Sequence, residues 1–190
     1  RTIDECRRHT SLPLSDLIIG YTSVDAHVEL DMMMRFLAIV VRRYPTAKLL
    51  MTGKTKSSMM DLARSYGVAD NIYLTGYLSF EELPWYLGSA NVFVLPFPAK
   101  VYNVGRWPNK IGDYICLGRP TISNPVGDIK LLFENHEIGR LVQWEPADFA
   151  DQIIDLFEHP DEAQRLGQNA RQLATTEYDW RKLVVRLEDF

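Results

Sequence analysis

The segment from Gly105 to Asp113 combines residue types that bind phosphate groups. Gly105 lets another group approach the backbone closely, and Arg106 and Lys110 bring two positive charges. We expect a helix to begin at Pro108, because proline suits the first helical position. A helix start offers unpaired N–H groups and a partial positive charge, so this segment is predicted to hold a diphosphate.

Asp113 extends this prediction from a phosphate to a nucleotide. Helical spacing places Lys110 and Asp113 on one side of the helix and turns Ile111 toward the core. A carboxylate one turn from a phosphate site can accept hydrogen bonds from both hydroxyls of a ribose. The alternatives are an exposed Lys110–Asp113 ion pair of little stabilising effect, a turn glycine at Gly105 and a solvated loop charge at Arg106.

Apolar runs alternate with helical patterns along the chain, and this alternation predicts the elements that position the segment. Strands are expected at residues 17–21, 47–51, 71–75, 91–96, 119–123 and 139–143. Helices are expected at residues 28–43, 57–66, 79–88, 108–118, 128–135, 146–158, 161–174 and 180–190. Residues 97–107 show neither period, so we expect a long loop of the kind that carries function.

Strands that alternate with helices through short connections predict a parallel sheet with helices on both faces. The expected fold class is therefore α/β, a Rossmann-like doubly wound domain over residues 16–178. Residues 1–15 are expected to lead in from a preceding domain, and residues 179–190 to form a helix that crosses to it. Ligands of such sheets lie at the C-terminal edge of the strands, where the strand order reverses.

Composition limits the classes of function. The 190 residues suit one domain, and a net charge of −4 argues against broad nucleic-acid binding. Cys6 and Cys116 have no metal-ligand spacing, and Cys116 is expected to be a buried free thiol, which fits a reducing cytoplasm. No metal site is predicted. Because the chain opens on Arg1, we expect its start to be a domain cut.

The helix predicted at 108–118 resembles the one in group 1 (family 4) glycosyltransferases. Their pattern is Lys, two residues, Glu, Tyr and then Gly-x-Pro, and the matching residues here are Lys110, Asp113, Tyr114, Gly118 and Pro120. Further matches are the strand that ends at Gly53, the turn at residues 76–78, the run at 86–96 and residues 126–128. The resemblance thus covers most of the chain.

This resemblance implies the C-terminal, donor-binding half of a retaining glycosyltransferase of the GT-B type. The donor would be a nucleotide-diphosphate sugar, with UDP- or GDP-linked donors favoured and no further cofactor. The base would lie beside residues 76–78, the phosphates beside 105–110 and the ribose on Asp113. The expected donor-binding residues are Asn103, Gly105, Arg106, Asn109, Lys110, Asp113, Gly53, Lys54, Gly76, Tyr77 and Leu78. Acceptor and catalytic residues are expected in an N-terminal half, which would also provide peripheral membrane contact.

Three positions depart from the family pattern. Gly105 stands where the first of two glutamates belongs, and Asp113, which is shorter, stands at the second. An Arg and a Lys that usually follow the first strand are absent, so Lys54, Lys56, Arg106 and Lys110 are the substitutes available for the phosphates. These departures support a second hypothesis, a non-catalytic nucleotide-binding or scaffold module. A dehydrogenase is disfavoured because no Gly-x-Gly-x-x-Gly follows the first strand.

Overall fold

A computed structural model describes residues 1–22, 28–54 and 57–188. Within these ranges the strands are β1 (Leu17–Thr22), β2 (Ala47–Thr52), β3 (Ile72–Leu74), β4 (Val92–Leu95), β5 (Thr121–Ser123) and β6 (Gly139–Leu141). The helices are α1 (Ile3–Thr10), α2 (Val28–Arg43), α3 (Ser57–Ser65), α4 (Leu83–Gly88), α5 (Val101–Val104), α6 (Lys110–Leu117), α7 (Asp128–His136), α8 (Pro146–Glu158), α9 (Pro160–Thr176) and α10 (Trp180–Glu188).

The strands form one parallel sheet in the order β3-β2-β1-β4-β5-β6. The chain fills one half of the sheet from β1 to β3 and then returns to place β4 on the other side of β1. The strand order therefore reverses between β1 and β4, and the ends of these strands at Thr22 and Leu95 border that point. This arrangement confirms the predicted Rossmann-like doubly wound fold with a helical tail.

Two apolar clusters, one on each face of the sheet, hold the helices in place. Alternating residues of β4 divide between them, with Val92 and Val94 in one cluster and Phe93 and Leu95 in the other. Helices α2, α3 and α8 pack in the first cluster, and α4, α6, α7 and α9 pack in the second. The first cluster also contains buried methionines, which are Met32, Met33, Met34, Met51 and Met59.

Two predictions near the site need correction. Helix α6 begins at Lys110 and not at Pro108, because the N–H groups of Ile111 and Gly112 donate to the carbonyls of Pro108 and Asn109 at 3.0 Å. These bonds span three residues, so a tight turn precedes the α-helix. The expected loop at 97–107 contains the single helical turn α5.

Cys116 is also placed differently from the prediction. It is exposed on the outer side of α6, whereas Cys6 in α1 is the buried thiol, and both are free. An apolar stretch on a helix still has an outward position at each turn, and Cys116 occupies one.

The first and last helices differ in how they meet the sheet domain. Arg7 of α1 is 2% exposed and donates to the carbonyl of Ser89 and to Oδ1 of Asn91, which fixes α1 beside α4. Helix α10 instead leaves a row of large apolar side chains in solvent, which are Trp180, Val184, Val185 and Leu187. None of the helices in the described ranges is long and apolar enough to cross a bilayer.

Candidate functional site

Tyr114 fixes helix α6 against the end of β1. Its ring is fully buried and stacks on Phe93, with ring centroids 4.1 Å apart and planes 3° from parallel. Its hydroxyl accepts a hydrogen bond from the backbone N–H of Thr22 at 3.1 Å. Ile111 and Ile115 are buried, as predicted. The opposite side of α6 is therefore left to border the edge of the sheet where the strand order reverses.

A cleft of about 420 Å³ lies at this point, between the ends of β1 and β4 and the start of α6. Its lining residues are Tyr21, Thr22, Glu29, Leu95, Pro96, Phe97, Arg106, Trp107, Pro108, Asn109, Lys110 and Asp113. The predicted donor-binding residues brought together here are Arg106, Asn109, Lys110 and Asp113. The cleft lies where ligands of doubly wound sheets bind.

Lys110 is held against Tyr21 in the floor of the cleft. Its Nζ donates to the Tyr21 hydroxyl at 3.0 Å and lies 4.2 Å from the centroid of the Tyr21 ring. Burial lowers the pKa of Lys110 to about 8. The negative charge of Glu29 opposes this shift, and the positive charge of Arg106 adds to it. Lys110 and Asp113, both within the described ranges, form no ion pair with each other. The alternative of an exposed Lys110–Asp113 ion pair is therefore wrong.

Arg106 enters the cleft from the loop before α6. Its Nε donates to Oδ1 of Asn103 at 2.7 Å, and its guanidinium carbon lies 5.2 Å from the centroid of the Phe97 ring. Asn103 is completely buried, and its Nδ2 donates to the carbonyl of Pro98 at 2.8 Å. Asn103 therefore lies beneath the cleft and not in its lining.

Two carboxylates border the same cleft. Asp113 is exposed at its rim, yet the surrounding protein limits hydration of the carboxylate and raises its pKa. Glu29 approaches from the first turn of α2. The cleft thus presents Arg106 and Lys110 as cations beside two acidic groups.

The remaining predicted residues are not in the lining of the cleft. The N–H of Gly53 donates to the carbonyl of Gly76 at 2.8 Å, which joins the segments after β2 and β3 into one shelf. Lys54 and Tyr77 are exposed on this shelf, and Leu78 follows them partly buried. In the loop after β4, Gly105 ends α5 in open space. Lys56, named as a substitute cation, lies outside the described residues.

The loop over residues 97–107 is anchored to the loop after β5. The N–H of Phe97 donates to Oδ1 of buried Asn124 at 2.9 Å, and Asn124 in turn donates to the carbonyl of Val142. Gly127 has φ 53°, and a Cβ there would lie 2.6 Å from the carbonyl oxygen of Val104. Only glycine fits this contact without strain, so residues 126–128 help to fix the loop that carries Arg106.

Several cleft residues were not expected from the sequence. Tyr21, Thr22 and Glu29 belong to the segment around the end of β1, in which the Arg and Lys of the family pattern are absent. Leu95, Pro96 and Phe97 lie at the end of β4. The sequence could have indicated these residues only by their position, since they lie near the ends of β1 and β4, the two strands between which the order reverses. Trp107 stacks on Tyr178 with ring centroids 5.6 Å apart, so its ring is already packed against a residue of this chain. Over the described residues, no group of three or more His, Cys, Asp or Glu side chains is placed to hold a metal.

Comparison with known proteins gives a family. The family model described as glycosyl transferases group 1 matches residues 17–159. A GDP-mannose-dependent alpha-(1-6)-phosphatidylinositol monomannoside mannosyltransferase of Mycobacterium tuberculosis is 26% identical over 167 residues, which cover 84% of this chain and 43% of the relative. The chain therefore spans less than half the length of that relative.

Solved structures show the same fold. A sucrose-phosphate synthase from Thermosynechococcus elongatus superposes with a TM-score of 0.82 at 20% identity, over 99% of this chain and 48% of the other. Anabaena HepE, in complex with UDP, superposes with a TM-score of 0.77 at 14% identity, over 99% of this chain and 52% of the other. Both likenesses extend over the whole sheet domain, in the Rossmann-like arrangement of GT-B glycosyltransferases. The chain belongs to the group 1 glycosyltransferase family.

Proposed function

We propose that this chain is the donor-binding half of a retaining family 4 glycosyltransferase and holds a nucleotide-diphosphate sugar in the cleft beside α6. The observation that carries the proposal is the position of Arg106 and Lys110, two cations at the start of a helix and at the reversal of strand order. Anions are stabilised at such a place by both the helix start and the side chains. The solved Anabaena protein, which has the same fold, holds UDP.

The cleft supports a distinct role for each group. Arg106 and Lys110 would neutralise the diphosphate, which becomes the leaving group and carries the growing negative charge. Asp113, at the rim one turn into α6, would accept hydrogen bonds from the ribose hydroxyls. The shelf formed by Gly53 and Gly76 would lie beside the base. A UDP- or GDP-linked donor is favoured, and the mycobacterial relative is named as GDP-mannose-dependent.

Transfer to an acceptor would require a second half of the protein. The relatives are about twice as long as the region matched here, and the cleft is open at the edge of the sheet. We therefore place the acceptor site and the catalytic residues in an N-terminal half. We also propose that the whole protein lies in the cytoplasm and that the N-terminal half makes peripheral contact with the membrane.

A second function, a non-catalytic nucleotide-binding or scaffold module, is favoured by the charge of the cleft. Gly105 supplies no carboxylate for the donor sugar, and Glu29 places a negative charge near the proposed phosphate position. A cleft of this kind would bind a nucleotide without supporting transfer.

Calorimetric titration with UDP, GDP, ADP and their sugars tests the donor site. Saturable binding of one of these is expected, and Lys110→Ala and Asp113→Ala should each weaken it about tenfold. Lys48→Ala and Asp61→Ala are matched controls, because Lys48 donates to the carbonyl of Asp70 and Asp61 pairs with Arg64, both outside the cleft lining. The proposal fails if no nucleotide binds, or if both cleft variants bind as well as the controls. Nucleotide binding without transfer in the presence of the N-terminal half would identify the module.

A further inference from the structure

Asn103 is a buried amide that uses its oxygen to hold a cleft arginine. Its side chain is 0% exposed, and its two polar atoms are both engaged, Oδ1 by Nε of Arg106 at 2.7 Å and Nδ2 by the carbonyl of Pro98 at 2.8 Å. No ligand in the cleft can reach a side chain placed in this way. Its conformation is set by the loop itself, so it can fix the direction of Arg106.

The bond to Asn103 engages one edge of the Arg106 guanidinium. Of its three nitrogens, only Nε takes part in a hydrogen bond to another described residue. The planar fork matches two oxygens of a phosphate through parallel N–H groups, and Nη1 and Nη2 provide such a pair. Phe97 and Tyr102, whose ring centroids lie 5.2 and 5.9 Å from the guanidinium carbon, restrict the plane of the fork.

The loop beneath this pair is rigidly attached to the sheet. Phe97 is bonded to buried Asn124, and the carbonyl of Val104 packs against Gly127. Asn103 lies between these two anchors and joins Pro98 to Arg106 across the loop. An arginine loses considerable side-chain entropy when a ligand immobilises it, and a prior hydrogen bond reduces that cost.

We propose that Asn103 is a positioning residue, which aligns Arg106 so that its two Nη atoms contact the phosphates of a nucleoside diphosphate. This inference rests on the donor site proposed above and gives Asn103 a role through Arg106, not a ligand contact of its own. Arg106 then replaces one of the cations missing after β1 as a preformed phosphate clamp.

A double-mutant cycle tests whether Asn103 acts through Arg106. Asn103→Ala is expected to weaken binding of the nucleoside diphosphate about tenfold, since the ligand must then order the Arg106 side chain itself, at a cost of about 1.4 kcal/mol. Binding of the unphosphorylated nucleoside, measured by NMR titration, should be unchanged. In an Arg106→Ala background, Asn103→Ala should have no further effect on diphosphate affinity. An undiminished effect in that background, or equal loss for nucleoside and diphosphate, would overturn the proposal.

Asn91→Ala is the matched control. Asn91 also accepts a hydrogen bond from an arginine, Arg7, at 2.7 Å, but at the opposite edge of the sheet. This variant should lower the free energy of unfolding and leave diphosphate affinity unchanged. If Asn103→Ala does not fold, Asn103→Asp keeps the acceptor for Nε and should retain the diphosphate preference.

The NMR signal of the Arg106 Nε–H group gives a readout that needs no ligand. In the unmodified protein this proton should exchange slowly with water, and Asn103→Ala should make its exchange fast. Slow exchange that persists in the variant would overturn the positioning role even where nucleotide binds. A protein that binds no nucleotide but shows the expected change in exchange would instead contradict the proposed donor site alone.

Discussion

Lys110 shows how binding and stability oppose each other at a single side chain. The residue is partly buried, and its Nζ donates a hydrogen bond to the neutral hydroxyl of Tyr21. A buried ammonium without a bonded carboxylate is destabilising, which is the reason its pKa falls to about 8. The charge of Glu29 offsets this cost only in part, and a phosphate would offset it further. At the donor site proposed above, a bound phosphate would offset this cost, which would account for a lysine at this position.

Replacing Lys110 by methionine should therefore stabilise the protein at neutral pH. The pKa of the folded state, about 8, is below the ordinary value of 10.5, so the unfolded state binds more protons between these values. The cost of the charge is complete below pH 8 and disappears as the pH rises toward 10.5. Lys110→Met should raise the free energy of unfolding at pH 7 by about 1–2 kcal/mol, less than the full pKa shift because the bond to Tyr21 is lost.

Urea unfolding followed by circular dichroism at pH 7 and pH 10 measures this difference. The gain in Lys110→Met should shrink at the higher pH, while nucleotide affinity at pH 7 is reduced. A gain of equal size at both pH values would contradict the charge as its cause.

The sequence predicted some residues of the cleft and not others, and the reasons are physical. Helical spacing placed Lys110 and Asp113 on one side of α6, since that period depends only on local geometry. Tyr21 was missed because alternation along a strand does not say which side chain meets a neighbouring helix. Asn103 was expected to bind donor, but its inward direction follows from α5, one turn with no apolar period to reveal it.

At the scale of elements, the predicted order of the strands is confirmed within the described ranges, whereas helices α1 and α5 were not expected and helices α4 and α6 begin later than predicted. Long apolar periods gave α2, α8 and α9 close to their observed bounds. The start of α6 was misplaced because the same residues allow a tight turn or an α-helical turn. Tertiary packing decides which one forms, and sequence spacing does not contain that packing.

The packing of α6 on α9 gives a prediction at this scale. Gly167 of α9 lies against the end of α6, where a Cβ would be 2.4 Å from the carbonyl oxygen of Gly118. Gly167→Ala should force the helices apart and lower the free energy of unfolding by about 1–3 kcal/mol. Gly112→Ala on α6 is the matched control, because its Cβ would meet nothing within 4 Å and alanine favours a helix by about 0.5–1 kcal/mol.

Thermal unfolding of the two variants should shift in opposite directions, down for Gly167→Ala and up for Gly112→Ala. Equal melting temperatures would show that α9 can move without cost, against the close contact with Gly118.

At the scale of the whole molecule, the chain combines a formed cleft with surfaces that the domain itself does not cover. Helix α10 exposes Trp180, Val184, Val185 and Leu187 to solvent. The sequence indicated this helix and its amphipathic character, but its neighbour could not be deduced from the chain alone. Because the matched relatives are about twice as long, the second half proposed above would supply both the covering surface and the acceptor side of the cleft.

The last prediction is that this chain by itself binds a donor but does not consume it, because the donor and acceptor sites are proposed to lie in different halves of the protein. The proposed nucleotide contacts lie within one domain, in the cleft between β1, β4 and α6, so binding should need no other part. Transfer needs an acceptor held within reach of the sugar and exclusion of water, and an open edge provides neither.

Incubation of the chain with the donor that calorimetry selects should release no nucleoside diphosphate, measured by ion-exchange chromatography. The chain joined to its N-terminal half should release it with acceptor present, and Lys110→Ala should abolish that release. Release by the isolated chain at the rate of the joined protein would mean that catalysis resides in this domain, where Asp113 and Glu29 are the carboxylates within the cleft.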